Sequence, residues 1–390
     1  MEAEDTSRPS PFLDEVEALY TWCMGPLARS LLGAFGVAIV SVVFASCANV
    51  LGLGDIGYAS KDAGVDSEAG VAVPTYLYVM GGISDLATGN TGTSDVFVAP
   101  ILDGGSLGSW STANMALPEE LFSNAGAASE GSVFSIGGDL SSGDYVGTVF
   151  GSVADAGSLS GWTSVVFPSS RFRHAAVLSQ GFLYVLGGLG SPTDAAPNGM
   201  LSDVEFAPVS AGVPSTFMAT SPLPGPREQF AVAATGDGFL YVTGGTPESP
   251  GTGADVFVAR QQADGGLGGW APATALPSAR YYHGAATFDG NLIVIGGINT
   301  TGDLADVEVA PINSADGSLG TFRAMAPLMT ARDGFGCLVV GNTIYVVGGA
   351  SASVLADVWY ATLGQGAMIT GWSQAPSLPQ RRAYFAIAAQ

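Results

Sequence analysis

Between residues 73 and 390 every basic residue is an arginine, and seven of the nine stand just ahead of apolar runs: Arg171, Arg173, Arg227, Arg280, Arg332, Arg381 and Arg382. A guanidinium presents a planar fork of donors that matches a carboxylate or sulfate, so several converging on one water-poor cleft would bind an anion bidentately. The competing role is scaffolding, in which each arginine hydrogen-bonds the neighbouring structural unit and binds no ligand. Carboxylates among them would serve as general acid or base. Glu228 follows Arg227 directly, although adjacent residues of a strand face opposite ways.

The histidines, His174 and His283, recur at matching places in Arg171-Phe172-Arg173-His174 and Arg280-Tyr281-Tyr282-His283, which favours a structural role. No Cys/His spacing suits zinc, and no GxGxxG or P-loop lysine accompanies the glycines, so no metal or cofactor is expected. Cys337 lies in an apolar run and reads as a small buried hydrophobe rather than a nucleophile.

A repeat positions these groups. Apolar runs end in paired glycines at Gly82, Gly138, Gly188, Gly245, Gly297 and Gly349, at intervals of 56, 50, 57, 52 and 52 residues. A fixed period of this size marks an array of similar supersecondary units. Each run is short, β-branched and aromatic, as suits a strand buried on both faces. A second signature, Asp-Val, follows at Asp95, Asp203, Asp255, Asp306 and Asp357 and reads as a third strand, although the copy near Tyr145 to Ser152 lacks it. A turn then leads to an aromatic at Trp110, Trp162, Phe217, Trp270, Phe322 or Trp372, expected to fill one slot between sheets in every unit. Beyond it a Leu-Pro-like step precedes the arginine and a further strand, which makes four strands per repeat and an all-β, six-bladed propeller.

An arginine-led strand, an aliphatic strand ending in Gly-Gly, a third strand and an aromatic in the fourth resemble the kelch family, and map here onto Arg280, Gly296-Gly297, Asp306-Val307 and Phe322. The resemblance covers residues 73 to 390 and implies a kelch-type β-propeller closed by its C-terminal strand. The ends agree: the repeats start directly in a glycine-pair strand, Tyr76 to Val79, while the chain stops after an arginine-led one, Ala383 to Ala389. Equivalent positions of a propeller lie on a ring, so the seven arginines are expected to make a basic channel mouth on an acidic body. The second repeat breaks this ring, with Glu119 and Glu120 where an arginine is expected. Members of the family bind acidic peptides or sugar acids at this mouth, and a bacterial sialic acid mutarotase is a periplasmic six-bladed member. Others, such as galactose oxidase, carry copper, for which nothing here supplies a site.

Residues 1–23 are acidic and carry no structural pattern, whereas Met24, Arg29, the apolar run from Leu31 to Ala45 and then Ser46-Cys47 have the layout of a secretory signal. The cysteine after small residues resembles a bacterial lipoprotein signal, which implies lipidation of Cys47. Residues 1–46 are thus expected to be a targeting segment, with Met24 as an alternative start. An uncleaved anchor is the other option, although the run is short against the roughly 20 residues of a span. Residues 47–72, rich in Gly, Ala, Ser and Asp, read as a flexible tether to the propeller at 73–390. The propeller is thus expected outside the cytoplasm; by the same resemblance Ala48, rather than an aspartate, favours the outer membrane, and the periplasm is the alternative.

Hydrophobic residues make up 47% of the chain and charged ones 12%, which suits thin sheets buried on both sides, and a net charge of −22 disfavours nucleic acid and anionic membrane as partners of the bulk surface. The sequence therefore predicts a non-catalytic binding or protein-interaction module on the cell envelope. Its expected partners are an anionic small molecule, a sugar acid or acidic peptide, or an envelope protein. A sialic-acid-mutarotase-like isomerase is the alternative, with catalytic residues unassigned.

Overall fold

The computed structural model describes residues 75–86, 91–129, 131–191, 199–247 and 253–390; the expected targeting segment, Cys47 and the tether lie outside the described residues. Six four-stranded antiparallel blades follow one another around a central channel. Blade 5 shows the plan most simply: Gly284–Phe288 lines the channel, Asn291–Ile295 and Val307–Pro311 follow outward, and Arg323–Ala324 forms the outer edge. The predicted all-β, six-bladed propeller is what the chain forms.

The second strand of each blade explains why the repeat is so apolar. In Thr343–Val347, Ile344 and Val346 pack toward blade 5, while Tyr345 and Val347 pack toward blade 1. The same alternation in Thr75–Met80 sends Leu77 and Val79 to one neighbour and Tyr78 and Met80 to the other. A period-two side-chain pattern between two apolar neighbours requires both faces to be hydrophobic. The propeller consequently holds six interblade cores. Full burial of one such side chain is worth about 1.5–3 kcal/mol.

Polar links recur across the same seams. Trp162 Nε1 donates to the Ala116 carbonyl, Trp270 to Ser221, Trp372 to Ala326 and Trp110 to Pro376, each reaching the preceding blade as the common-slot expectation requires. Phe217 and Phe322 hold that place in blades 3 and 5 without the donor. In the other direction, the Tyr184, Tyr241 and Tyr345 hydroxyls donate to the carbonyls of Gly265, Gly317 and Gly105 in the next blade.

Ring closure is as anticipated. Ala386–Ala389 pairs antiparallel with Thr75–Met80, from Met80 opposite Ala386 to Leu77 opposite Ala389, so the C-terminal strand is the innermost strand of blade 1. Gln390 and Tyr76 exchange two further backbone hydrogen bonds, of 2.7 and 2.9 Å. Deleting residues 383–390 strips blade 1 of its inner strand and leaves Thr75–Met80 as an open edge. The truncated protein is expected to lose cooperative melting and most strand signal by circular dichroism, and an unchanged transition would contradict this closure.

Candidate ligand site at the propeller mouth

Five of the seven arginines are consumed by their own blades. Arg280 is fully buried; its Nη1 donates to the Gly296 carbonyl at 3.0 Å, and Nη1 and Nη2 clasp both oxygens of Asp306 at 3.0 and 2.7 Å. Arg332 repeats this on Gly348 and Asp357, and Arg171 on Gly187 and Asp203. Arg382 reaches Asp95 at 2.6 Å, and Arg227 keeps the Gly244 carbonyl at 2.9 Å while Asp255 stands 4.0 Å off. The aspartates are those of the Asp-Val signature. At Asp357, burial would raise the pKa, but the hydrogen bonds from Arg332 and Trp359 and the Arg332 charge outweigh it and hold the carboxyl below the usual range.

The backbone of the same residue reaches the blade before it. The second glycine of four pairs donates its N–H to this carbonyl: Gly138 to Arg171, Gly245 to Arg280, Gly297 to Arg332 and Gly349 to Arg382. That approach needs glycine: Gly297 has φ +92°, and a Cβ there would lie 2.7 Å from the Tyr281 carbonyl oxygen. In blade 2 the bond runs from Gly82 to Leu121, which identifies Leu121, not Glu119 or Glu120, as the residue in the arginine place. The Asp place there is Thr148, whose carbonyl accepts from Gly137 as that of Asp306 accepts from Gly296. Arginine and aspartate are therefore lost together.

Two residues beyond each arginine place the chain turns through positive φ, at Ser123 (51°), Arg173 (53°), Gln229 (60°), Tyr282 (53°), Gly334 (56°) and Tyr384 (53°). These six residues close a backbone hydrogen-bonded ring: Arg173 donates to Ser123, Gln229 to Arg173, Tyr282 to Gln229, Gly334 to Tyr282, Tyr384 to Gly334 and Ser123 to Tyr384, at 2.7 to 3.1 Å. Their side chains line a mouth cavity of about 160 Å³. Beneath it lies a channel cavity of about 450 Å³ walled by the inner strands, mostly by Ala, Gly, Val and Leu; Phe335, Phe385 and His283 border both spaces.

Of the seven predicted arginines, only Arg173 lines the mouth cavity, and Arg381 is exposed away from it. The expected ring of seven converging guanidiniums is thus corrected to one. Arg173 lies over the Phe172 ring at 4.9 Å and spends Nη1 on Glu228 Oε2 at 3.2 Å, while its buried Nε has no acceptor. Gln229 donates to the Tyr282 hydroxyl at 3.0 Å. The Tyr282 and Tyr384 rings meet at 4.8 Å between centroids above Gly334, where a Cβ would fall 2.3 Å from the Tyr384 ring. The Tyr384 hydroxyl donates to Asp333 Oδ1 at 2.7 Å, and Ser351 donates to Asp303 Oδ2 at 3.0 Å.

His174 and His283 occupy the next place inward, wedged against Gly137 and Gly244 of the preceding blades, in keeping with the structural role read from their repeat positions. Burial, reinforced by Arg171 and Arg280 respectively, pushes both imidazoles down to about 3, so they are neutral. Cys337 borders the channel, with its thiol pushed up to about 12 by burial. No cluster of three or more metal-binding side chains occurs among the described residues.

Fold and mouth together define a six-bladed β-propeller with a polar mouth. No family model matches the sequence, and no curated protein does. Among solved structures, one titled "Structure of YjhT" is similar, with a TM-score of 0.56 and 15% identity, covering 80% of this chain and 99% of that one. At that identity the likeness shows the fold.

Asp333 was not singled out in the sequence, and its titration gives the site a measurable signature. Burial, offset in part by the Tyr384 hydrogen bond and reinforced by the Asp303 charge, pushes its pKa up to about 7. The folded state therefore favours the neutral carboxyl, while the unfolded chain titrates near 3.9, so this group's contribution falls as pH rises from about 4 to 7 and is flat above. Asp333→Asn is expected to remove that part of the decline when melting is followed across this range. Parallel curves for the two proteins would contradict the assignment.

Proposed function

We propose that the protein is a non-catalytic binding module of the kelch type that takes a small anionic ligand, such as a sugar acid or the acidic group of a peptide, at the propeller mouth. The observation that carries this is Arg173: alone among the repeat arginines it lies in the mouth, over Phe172, with donors to spare. A single part-buried pair to Glu228 leaves the rest of the fork free to meet a carboxylate, and the tyrosine rings and Gln229 supply the apolar and polar contacts that orient a small molecule. Cys47 would tether the propeller outside the cytoplasm to a membrane of the cell envelope, the outer membrane by preference, where such ligands or envelope proteins are met.

A second reading, an acid–base enzyme of the sialic-acid-mutarotase kind, rests on Asp333, a buried carboxyl titrating near neutrality on the hydroxyl of Tyr384, which lines the opening.

One set of titrations on the full-length protein separates these readings. Arg173→Ala is expected to weaken binding of glucuronate, sialic acid or an acidic peptide by about tenfold or more, the worth of a charge-assisted hydrogen bond, with cooperative melting retained. Arg280→Ala is expected to lower melting instead. Undiminished affinity in Arg173→Ala contradicts the binding reading. Anomer exchange of sialic acid accelerated by the wild type and not by Asp333→Asn would promote the second.

A further inference from the structure

The hydrogen-bonded ring orders the mouth residues by blade, and in a ring of six Arg173 stands diametrically opposite Gly334. Two carboxyls stand behind the lining of that far side, one of them on the hydroxyl of Tyr384. Asp333 precedes Gly334, and the Asp303 carboxylate, on the short hairpin of Ile298–Asn299 and Gly302–Asp303, lies within hydrogen-bonding reach of it. Two carboxyls so close require a proton or a cation between them, and among the described residues no arginine pairs with either.

The aromatic rings lie on the same side. Tyr282 and Tyr384 close over Gly334 and present π-faces where a cation would sit. On the other flank of Tyr384, Asn124 lines the same cavity; it is 6% exposed, donates through Nδ2 to the Met80 carbonyl and Ser135 Oγ, and has no donor for Oδ1. Beside the unpartnered ring nitrogens of His174 (Nδ1 and Nε2) and His283 (Nδ1), the cavity carries two orphans of opposite type outside the histidines, a donor in Arg173 Nε and an acceptor in Asn124 Oδ1. Buried polar atoms are almost always satisfied, so this pair asks for an occupant that accepts at one end and donates at the other. A plain anion answers only the first.

We propose that the mouth ligand is a zwitterion, its carboxylate on Arg173 and its ammonium across the opening, over Tyr384 and against Asp303. This rests on the anion-binding reading of Arg173 and adds the second pole. Glu228 fits the scheme, because it holds Arg173 through one donor on the side away from the ligand and keeps the empty mouth from presenting an uncompensated cation.

The test uses the full-length protein and simple probes of two lengths, γ-aminobutyrate and ε-aminocaproate, each beside its acid (butyrate, caproate) and its amine (butylamine, hexylamine), followed by ligand-observed NMR titration. At one length or both, the amino acid is expected to bind about tenfold tighter than the acid, as one added charge-assisted contact gives. The amine alone is expected to bind weakest. Asp303→Asn is expected to bring the amino acid down to the level of the acid, and Arg173→Ala to abolish binding of both. If acid and amino acid bind alike to the wild type at both lengths, the zwitterion is overturned and the anion reading stands. If neither binds at either length, both fall.

Discussion

A guanidinium removed from water must have its donors answered and its charge matched, or the cost is several kcal/mol. In blades 3, 5 and 6 the answer is complete: the arginine bonds the carbonyl of the first glycine in its blade's pair and both oxygens of the Asp-Val aspartate. That clamp fixes the lead-in to the inner strand, the end of the second strand and the start of the third relative to one another. Its backbone carbonyl accepts from the blade before, so one residue sets geometry both within a blade and between blades. The second blade supports this logic by exception. Leu121 and Thr148 replace both partners at once, whereas a half-clamp would bury an unpaired charge.

The mouth is built on top of the clamps, and it is strained. Five non-glycine residues hold positive φ to close the hydrogen-bonded ring, a conformation that costs on the order of 1 kcal/mol each. Because the clamps and the ring's backbone carry the load, the ring side chains are free to differ: Ser, Arg, Gln, Tyr, Gly and Tyr in order. A scaffold with invariant backbone and variable side chains is where a binding site is tuned. Charge at the opening accordingly comes from one ring residue, Arg173, while the carboxyl of Asp333 stands behind the opening on the Tyr384 hydroxyl.

Much of the fold was legible because it is written in repeated chemistry. Paired glycines, the Asp-Val signature and the fourth-strand aromatics each mark a place where backbone approach or an interblade slot admits few residue types, and closure by Ala383 to Ala389 followed from the two ends of the chain. The site was less legible, for two physical reasons. The arginine and Asp-Val motifs were each noted, but pairing them across some 25 to 32 residues needs three dimensions, and unpaired arginines look like ligands. The ring at Ser123, Arg173, Gln229, Tyr282, Gly334 and Tyr384 is defined by dihedral angle and backbone bonds, which leave no common side chain to read. One signal was available: the repeat that lacks Asp-Val also lacks the arginine, and that joint absence already pointed to a pair.

The clamp as scaffold is tested most directly by a double-mutant cycle on Arg332 and Asp357, the pair with 0% and 24% side-chain exposure. Arg332→Met, Asp357→Asn and the double variant would be compared by urea unfolding. A clamp that organises the blade predicts a coupling energy of about 1–3 kcal/mol, with the double variant better than the sum of its parts. Coupling within about 0.5 kcal/mol of zero would contradict it, and would return the buried arginines to the ligand-binding role from which their geometry removes them.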